Sequence, residues 1–216
     1  MIVTIDGPAG AGKSTVSKRL ADALGFDFLD TGAMYRCVTL ACLQRGIALD
    51  QHVEVAAVAH GIEILFDGNR ITLDGEDVTE RIREPRVSKS IKAIADNTQV
   101  RCAMVELQRR WCAGKDAVTE GRDQGTVAFP DAACKIFLTA SPEERARRRV
   151  EQLAAAGIAA EIADILDQQN LRDLDDRSRA TGGLKQAEDA IEVHTDGLTE
   201  DEVLARLIGI VRSKME

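Results

Sequence analysis

Residues Gly7-Pro8-Ala9-Gly10-Ala11-Gly12-Lys13-Ser14 satisfy the pattern G-x-x-x-x-G-K-[ST], and this octapeptide constrains the chain more than any other stretch. It follows the run Met1-Ile2-Val3-Thr4-Ile5 directly. A short β-branched run reads as a buried strand, the glycines allow a tight turn that points several backbone N–H groups inward, and Val16 to Leu24 continue as a helix. Strand, turn and helix in that order present the positive end of a helix to a polyphosphate. Lys13 then bridges the β- and γ-phosphates, and the Ser14 hydroxyl coordinates the Mg²⁺ that neutralises them. A glycine turn that merely precedes a lysine is the plain alternative, and it does not explain the strand before and the helix after.

The totals narrow the class. A chain of 216 residues, 44% of them hydrophobic, forms one substantial domain or a core with a small insert. Its 28 Lys and Arg against 36 Asp and Glu give a formal charge of −8, which argues against nucleic acid or an anionic membrane as the main partner. The basic residues therefore act locally. There is no charged-then-apolar leader and no apolar run near the ~18 residues of a membrane span, so a cytoplasmic protein is expected. Cys37, Cys42, Cys102, Cys112 and Cys134 lack C-x-x-C spacing and read as reduced thiols packing as small apolar groups.

Along the chain, Phe26 to Leu29 reads as a second strand ended by Asp30-Thr31-Gly32. Ligands of parallel sheets gather at the carboxyl ends of strands, which makes Asp30 and Thr31 candidates. A helix over Ala33 to Arg45 puts Tyr35 and Arg36 in its first turn, and another covers Val53 to His60. Ile62 to Phe66 and Arg70 to Leu73, around Asp67-Gly68-Asn69, read as a β-hairpin and so as an insert. A helix starts near Glu84-Pro85, and a long one runs from Val100-Arg101 to Trp111.

Ala117 to Thr119 is a buried-strand signature ending in Glu120-Gly121-Arg122-Asp123-Gln124-Gly125, where carboxylates flank one arginine. Lys135 to Thr139 is another strand, and Ser141-Pro142-Glu143-Glu144 announces a helix carrying Arg145, Arg147, Arg148 and Arg149. In so acidic a chain those arginines read as phosphate ligands, with surface ion pairs as the alternative. On a helix from Ala160 to about Ser178, Arg172, Asp176 and Arg179 share one face, either as a site or as an exposed ion pair. A strand over Ala190 to His194 and a helix over Val203 to Val211 complete a parallel α/β sheet covered by helices on both faces. The base-reading N-K-x-D of a GTPase switch is absent from the sequence. A phosphate loop, Mg²⁺ and several arginines are instead the parts that phosphoryl transfer needs.

Leu29-Asp30-Thr31-Gly32-Ala33-Met34-Tyr35-Arg36, Asp74-Gly75-Glu76-Asp77-Val78, Glu120 to Val127 and Arg172-Asp173 through Arg179, with the phosphate loop, resemble the bacterial cytidylate kinases along nearly the whole chain. The resemblance implies transfer of the ATP γ-phosphate to CMP or dCMP in pyrimidine nucleotide metabolism, by a single kinase domain in three parts. These are a core of residues 1–60 and 96–216, a monophosphate-binding insert of about 61–95 and a lid of about 146–162. It assigns Gly7, Pro8, Ala9, Gly10, Ala11, Gly12, Lys13, Ser14 and Thr15 to ATP, with Mg²⁺ on Ser14. Arg36 and Arg122 take the acceptor's phosphate; Thr31, Arg101, Asp123 and Arg179 read cytosine; Arg172 and Asp176 contact the ribose. Lys13, Arg122, Arg148 and Arg149 form the catalytic set, the last two on the lid. A monomer without nucleic acid or membrane partners is expected.

The chain departs from the family pattern at Lys92 and Thr31, where serine is common, and at Gly182-Gly183-Leu184, a change expected to loosen the loop beyond Arg179. Glu120 is expected to order the Mg²⁺ waters or the acceptor phosphate. Another small-acceptor kinase of this fold, or a nucleotide-dependent regulatory protein, are the competing readings.

Overall fold

The computed structural model describes residues 1–155 and 157–215. In chain order the elements are β1 (Ile2–Asp6), α1 (Lys13–Leu24), β2 (Asp27–Asp30), α2 (Thr31–Gln44), α3 (His52–Gly61), β3 (Ile64–Asp67), β4 (Arg70–Leu73), β5 (Glu76–Asp77), α4 (Pro85–Asp96) and α5 (Thr98–Cys112). They continue with β6 (Ala117–Gly121), β7 (Cys134–Thr139), α6 (Pro142–Ala155), α7 (Ile162–Ser178), β8 (Ile191–His194) and α8 (Glu200–Arg212). The chain divides into two compact units, Met1–Phe28 with Gly114–Glu216, and Leu29–Ala113.

The first unit is built on a five-stranded sheet of order β2-β6-β1-β7-β8, with β1 parallel to both β6 and β7 and β7 parallel to β8. Side chains alternate across a strand, so Val3 and Ile5 of β1 share a face with Val118, Ile136, Leu138 and Val193. Against that face pack Val16 and Leu20 of α1 and the i, i+4, i+8 row Val203, Leu207 and Val211 of α8. Each large side chain buried this way contributes about 1.5–3 kcal/mol. A capping box between Thr199 and Glu202 fixes the start of α8.

The opposite face of β1 is polar, which the buried-strand reading does not foresee. Thr4 and Asp6 point there, Thr4 level with Thr119 on β6 and Lys135 on β7, and all four are buried. Beyond β6 the chain makes a single wide π-type turn, Gln124–Ala128, in which the Asp123 carbonyl accepts from Val127 N (2.8 Å) and Ala128 N (3.1 Å). Neither the turn nor the polar layer carries a periodicity that a sequence scan detects.

The second unit holds α2 to α5 and a three-stranded antiparallel sheet, β3-β4-β5. The expected hairpin is there, one strand larger. Val78 N bonds Ile71 O at 2.9 Å just beyond β5, so the chain after Asp74-Gly75 returns along β4 instead of leaving. Helix α2 begins two residues earlier than the sequence suggests, because the Asp30 side chain accepts from Ala33 N at 2.9 Å and draws Thr31 and Gly32 into the first turn. Asn97 caps α5 in the same way, accepting from Gln99 N and Val100 N.

All five cysteines are free thiols, as expected, with only Cys102 exposed. Burial pushes the Cys134 thiol up to about 11, so it stays protonated and unreactive. No helix among the described residues is long and apolar enough to cross a membrane.

Candidate active site

The phosphate loop follows β1 without slack. Gly7 has φ 153°, and a Cβ there would lie 1.9 Å from the Leu138 carbonyl oxygen of β7, so no other residue fits this position without moving the sheet. Gly12 precedes α1 with no side-chain cap, leaving the first-turn N–H groups open to an anion. Lys13 is buried and folds back to donate from Nζ to Pro8 O at 2.8 Å. Burial, and after it the neighbouring Arg122, pull its ammonium down to about 7. Ser14 Oγ donates to Glu120 Oε1 at 2.7 Å, which joins the first turn of α1 to the C-terminal half of β6. A hydroxyl and a carboxylate side by side at a helix N-terminus are the oxygen donors a hard divalent cation selects.

Four arginines on α6 take four different roles. Arg145 is buried, 3% exposed, and pairs with Asp173 of α7 at 2.7 Å. It also donates to Ala9 O in the phosphate loop (2.9 Å) and to Ala140 O (3.2 Å), while its own carbonyl accepts from Gln169 at 3.2 Å. Arg147 makes exposed ion pairs with Glu144 and Glu151 on its own helix. Arg148 donates to Glu144 and, at 2.9 and 2.6 Å, to the hydroxyl and carbonyl of Thr195. Arg149 reaches Gln152 at 3.3 Å on the solvent side. Nothing local to Arg145 separates it from its neighbours, because its partner Asp173 lies on another helix.

Asp176 is the hub of the remaining charges in the first unit. Its Oδ2 accepts from Arg122 Nε at 2.9 Å and its Oδ1 from Arg179 Nη2 at 3.0 Å. Burial pulls its carboxyl upward, but Arg122, Arg179 and Arg172 together outweigh it and hold the group below the usual carboxylate range. The exposed-helix alternative thus fails for Asp176. The shared helix face fails for Arg179, which lies past the last residue of α7 with extended backbone. Arg172 is exposed and Asp123 is buried, 5% exposed. Beyond Arg179, Leu184 is buried and its N–H bonds Asp176 O at 2.8 Å.

In the second unit Thr31 is buried in the first turn of α2. Arg36 donates to Ile82 O (3.1 Å) and Ser88 Oγ (2.8 Å), and burial lowers its pKa. Arg101, 4% exposed, lies with its guanidinium carbon 5.6 Å from the centre of the Tyr35 ring and donates to Ala95 O at 3.1 Å. Lys92 is exposed on α4.

A sequence model of a family described as Cytidylate kinase matches residues 3–213. The chain belongs to the cytidylate kinase family. The cytidylate kinase of Rhodopirellula baltica is 53% identical over 212 residues, covering 98% of this chain and 93% of that protein. That of Caldanaerobacter subterraneus is 47% identical, covering 97% and 94%. The kinase class and the parallel α/β fold read from the sequence hold on these grounds. Among solved structures, an uncharacterised protein from Eubacterium ventriosum superimposes with a TM-score of 0.54 at 12% identity, covering 99% of each chain, which bears on the fold alone.

Proposed function

We propose that this chain transfers the γ-phosphate of ATP to CMP or dCMP, giving CDP or dCDP, as a cytoplasmic monomer acting on these small molecules without nucleic acid or membrane partners. The observation that carries it is the Arg122-Asp176-Arg179 network together with buried Asp123, in the same unit as the phosphate loop of a cytidylate kinase family member. ATP takes the loop Gly7 to Ser14 and Thr15, with the open first-turn N–H groups of α1 on its phosphates. Lys13 exchanges its bond to Pro8 O for the β- and γ-phosphates. Ser14 and Glu120 fit a Mg²⁺ ion, which when bound with ATP neutralises phosphate charge.

For the acceptor, Arg122 and Arg36 hold the α-phosphate, Asp176 and Arg172 the ribose, and Thr31, Arg101, Asp123 and Arg179 the base. Cytosine offers an amino donor to a carboxylate, whereas uracil offers a carbonyl and leaves that carboxylate unpaired, a penalty of about 1–3 kcal/mol or more. Residues 61–95 serve as the acceptor insert. Residues 146–162 serve as the lid, of which Ala156 lies outside the described residues; Arg148 and Arg149 bring charge to the transferred group. Lys92 in place of serine bears on the choice of ribose or deoxyribose.

An ADP-release assay with ATP, Mg²⁺ and CMP, dCMP, UMP, AMP or dTMP tests this reading. Fast turnover with CMP and much slower turnover with UMP is expected; equal rates with CMP and AMP refute it. Size-exclusion chromatography checks the monomer.

A further inference from the structure

Asp6 is the last residue of β1 and directly precedes the phosphate loop, yet nothing in the donor chemistry above uses its side chain. Strand alternation turns it away from the apolar layer, onto the face it shares with Thr4. There each carboxylate oxygen takes one backbone amide: Oδ1 accepts from Gln124 N at 2.8 Å and Oδ2 from Gly125 N at 2.7 Å. These two amides are its hydrogen-bond partners, and Asp123 and Lys13 act on it through charge. Burial outweighs the pull of the two amides and leaves its carboxyl raised to about 6.

The two amides are the first two of the wide turn that follows Arg122 and Asp123. Asp123 is thereby held from both sides, its carbonyl by Val127 and Ala128 and the peptide after it by Asp6. The close approach requires a residue without a side chain at 125. A Cβ on Gly125 would meet Thr4 Oγ1 at 3.0 Å, Lys135 Cδ at 3.3 Å and Asp6 Oδ2 at 3.4 Å. A π-type turn, a buried carboxylate and a close-packed glycine thus converge on the peptide next to the residue assigned to cytosine.

We propose that Asp6 is a positioning residue for acceptor selectivity: by clamping the amides of Gln124 and Gly125 it fixes Arg122 and Asp123 relative to the phosphate loop. The proposal rests on the cytosine role of Asp123 given above. Asp6→Asn keeps the volume but turns an amide donor toward one backbone N–H, breaking half the clamp. Gly125→Ala breaks it from the other side.

The test measures kcat and KM for CMP and for UMP, and KM for ATP, in the wild type, Asp6→Asn, Gly125→Ala and Asp123→Ala. The expected result is a fall of about tenfold in the CMP-to-UMP ratio of kcat/KM in both clamp variants, with KM for CMP raised more than KM for ATP. If Asp123→Ala lowers the ratio while the folded clamp variants keep it, showing only a lower melting temperature, Asp6 is structural and the proposal is wrong. If Asp123→Ala itself leaves the ratio unchanged, the cytosine reading is overturned, and this proposal with it. Should Asp6→Asn not fold, Gly125→Ala decides the matter alone.

Discussion

Helix α7 carries two aspartates one turn apart, each paired with an arginine from a different part of the chain, and the two pairs are built differently. Asp173 meets Arg145 with both side chains 3% exposed, and the guanidinium is further occupied by two backbone carbonyls, one in the phosphate loop. Asp176 meets Arg122 with 10% and 21% exposed, and shares itself with Arg179. The first pair has no surface left for a ligand. The second reaches solvent, and its arginines can exchange the carboxylate for a phosphate or a base. The sealed pair supports the phosphate loop; the open one suits the acceptor role proposed above.

The sharpest way to break that contrast is Asp173→Ala, which strands a buried guanidinium and is expected to cost about 3–5 kcal/mol in urea unfolding. A loss below about 1 kcal/mol would mean that the pair is not sealed. A second test uses pH. Asp6 binds its proton more tightly folded than unfolded, its value rising from 3.8 to about 6. Its contribution is therefore present in full below pH 3.8 and is lost as the pH rises through about 6. The wild-type minus Asp6→Asn difference in unfolding free energy should fall by about 2–3 kcal/mol across that window. Asp176, held low by its arginines, runs the other way: its contribution is present above pH 3.8 and fades only as the pH drops through its lower folded value. Both differences moving in one direction would contradict the two environments.

Asp176→Asn should cost only about 1 kcal/mol of stability while raising KM for CMP about tenfold, which is about 1.4 kcal/mol of binding. A stability loss as large as that of Asp173→Ala would erase the distinction. The smallest effect belongs to Arg147→Ala, whose exposed ion pairs should leave melting temperature and kcat unchanged within error.

Much of this was legible in the residues. The phosphate loop, the strand and helix around it and the hairpin are local patterns, and local patterns survive in sequence. What stayed hidden depends on partners far along the chain. Arg145 looks like Arg147 until Asp173 is placed beside it. Asp6 has no visible partner in the sequence until the amides of 124 and 125 arrive. Arg179 looks helical by spacing because spacing does not show where α7 stops, and a short strand such as Glu76–Asp77 has too few residues for any periodicity to register.

The register of β1 also bears on how the chain is made. Ile2 stands opposite Ala117 and Val3 opposite Cys134, so β1 has no strand partner until more than a hundred residues after it have been added. At translation rates of about 5–20 residues per second that delay is on the order of ten seconds. Within it the whole of Leu29–Ala113, a compact unit of its own, emerges. During that wait Ile2 to Ile5 is an apolar strand without a partner, the kind of surface through which chains associate.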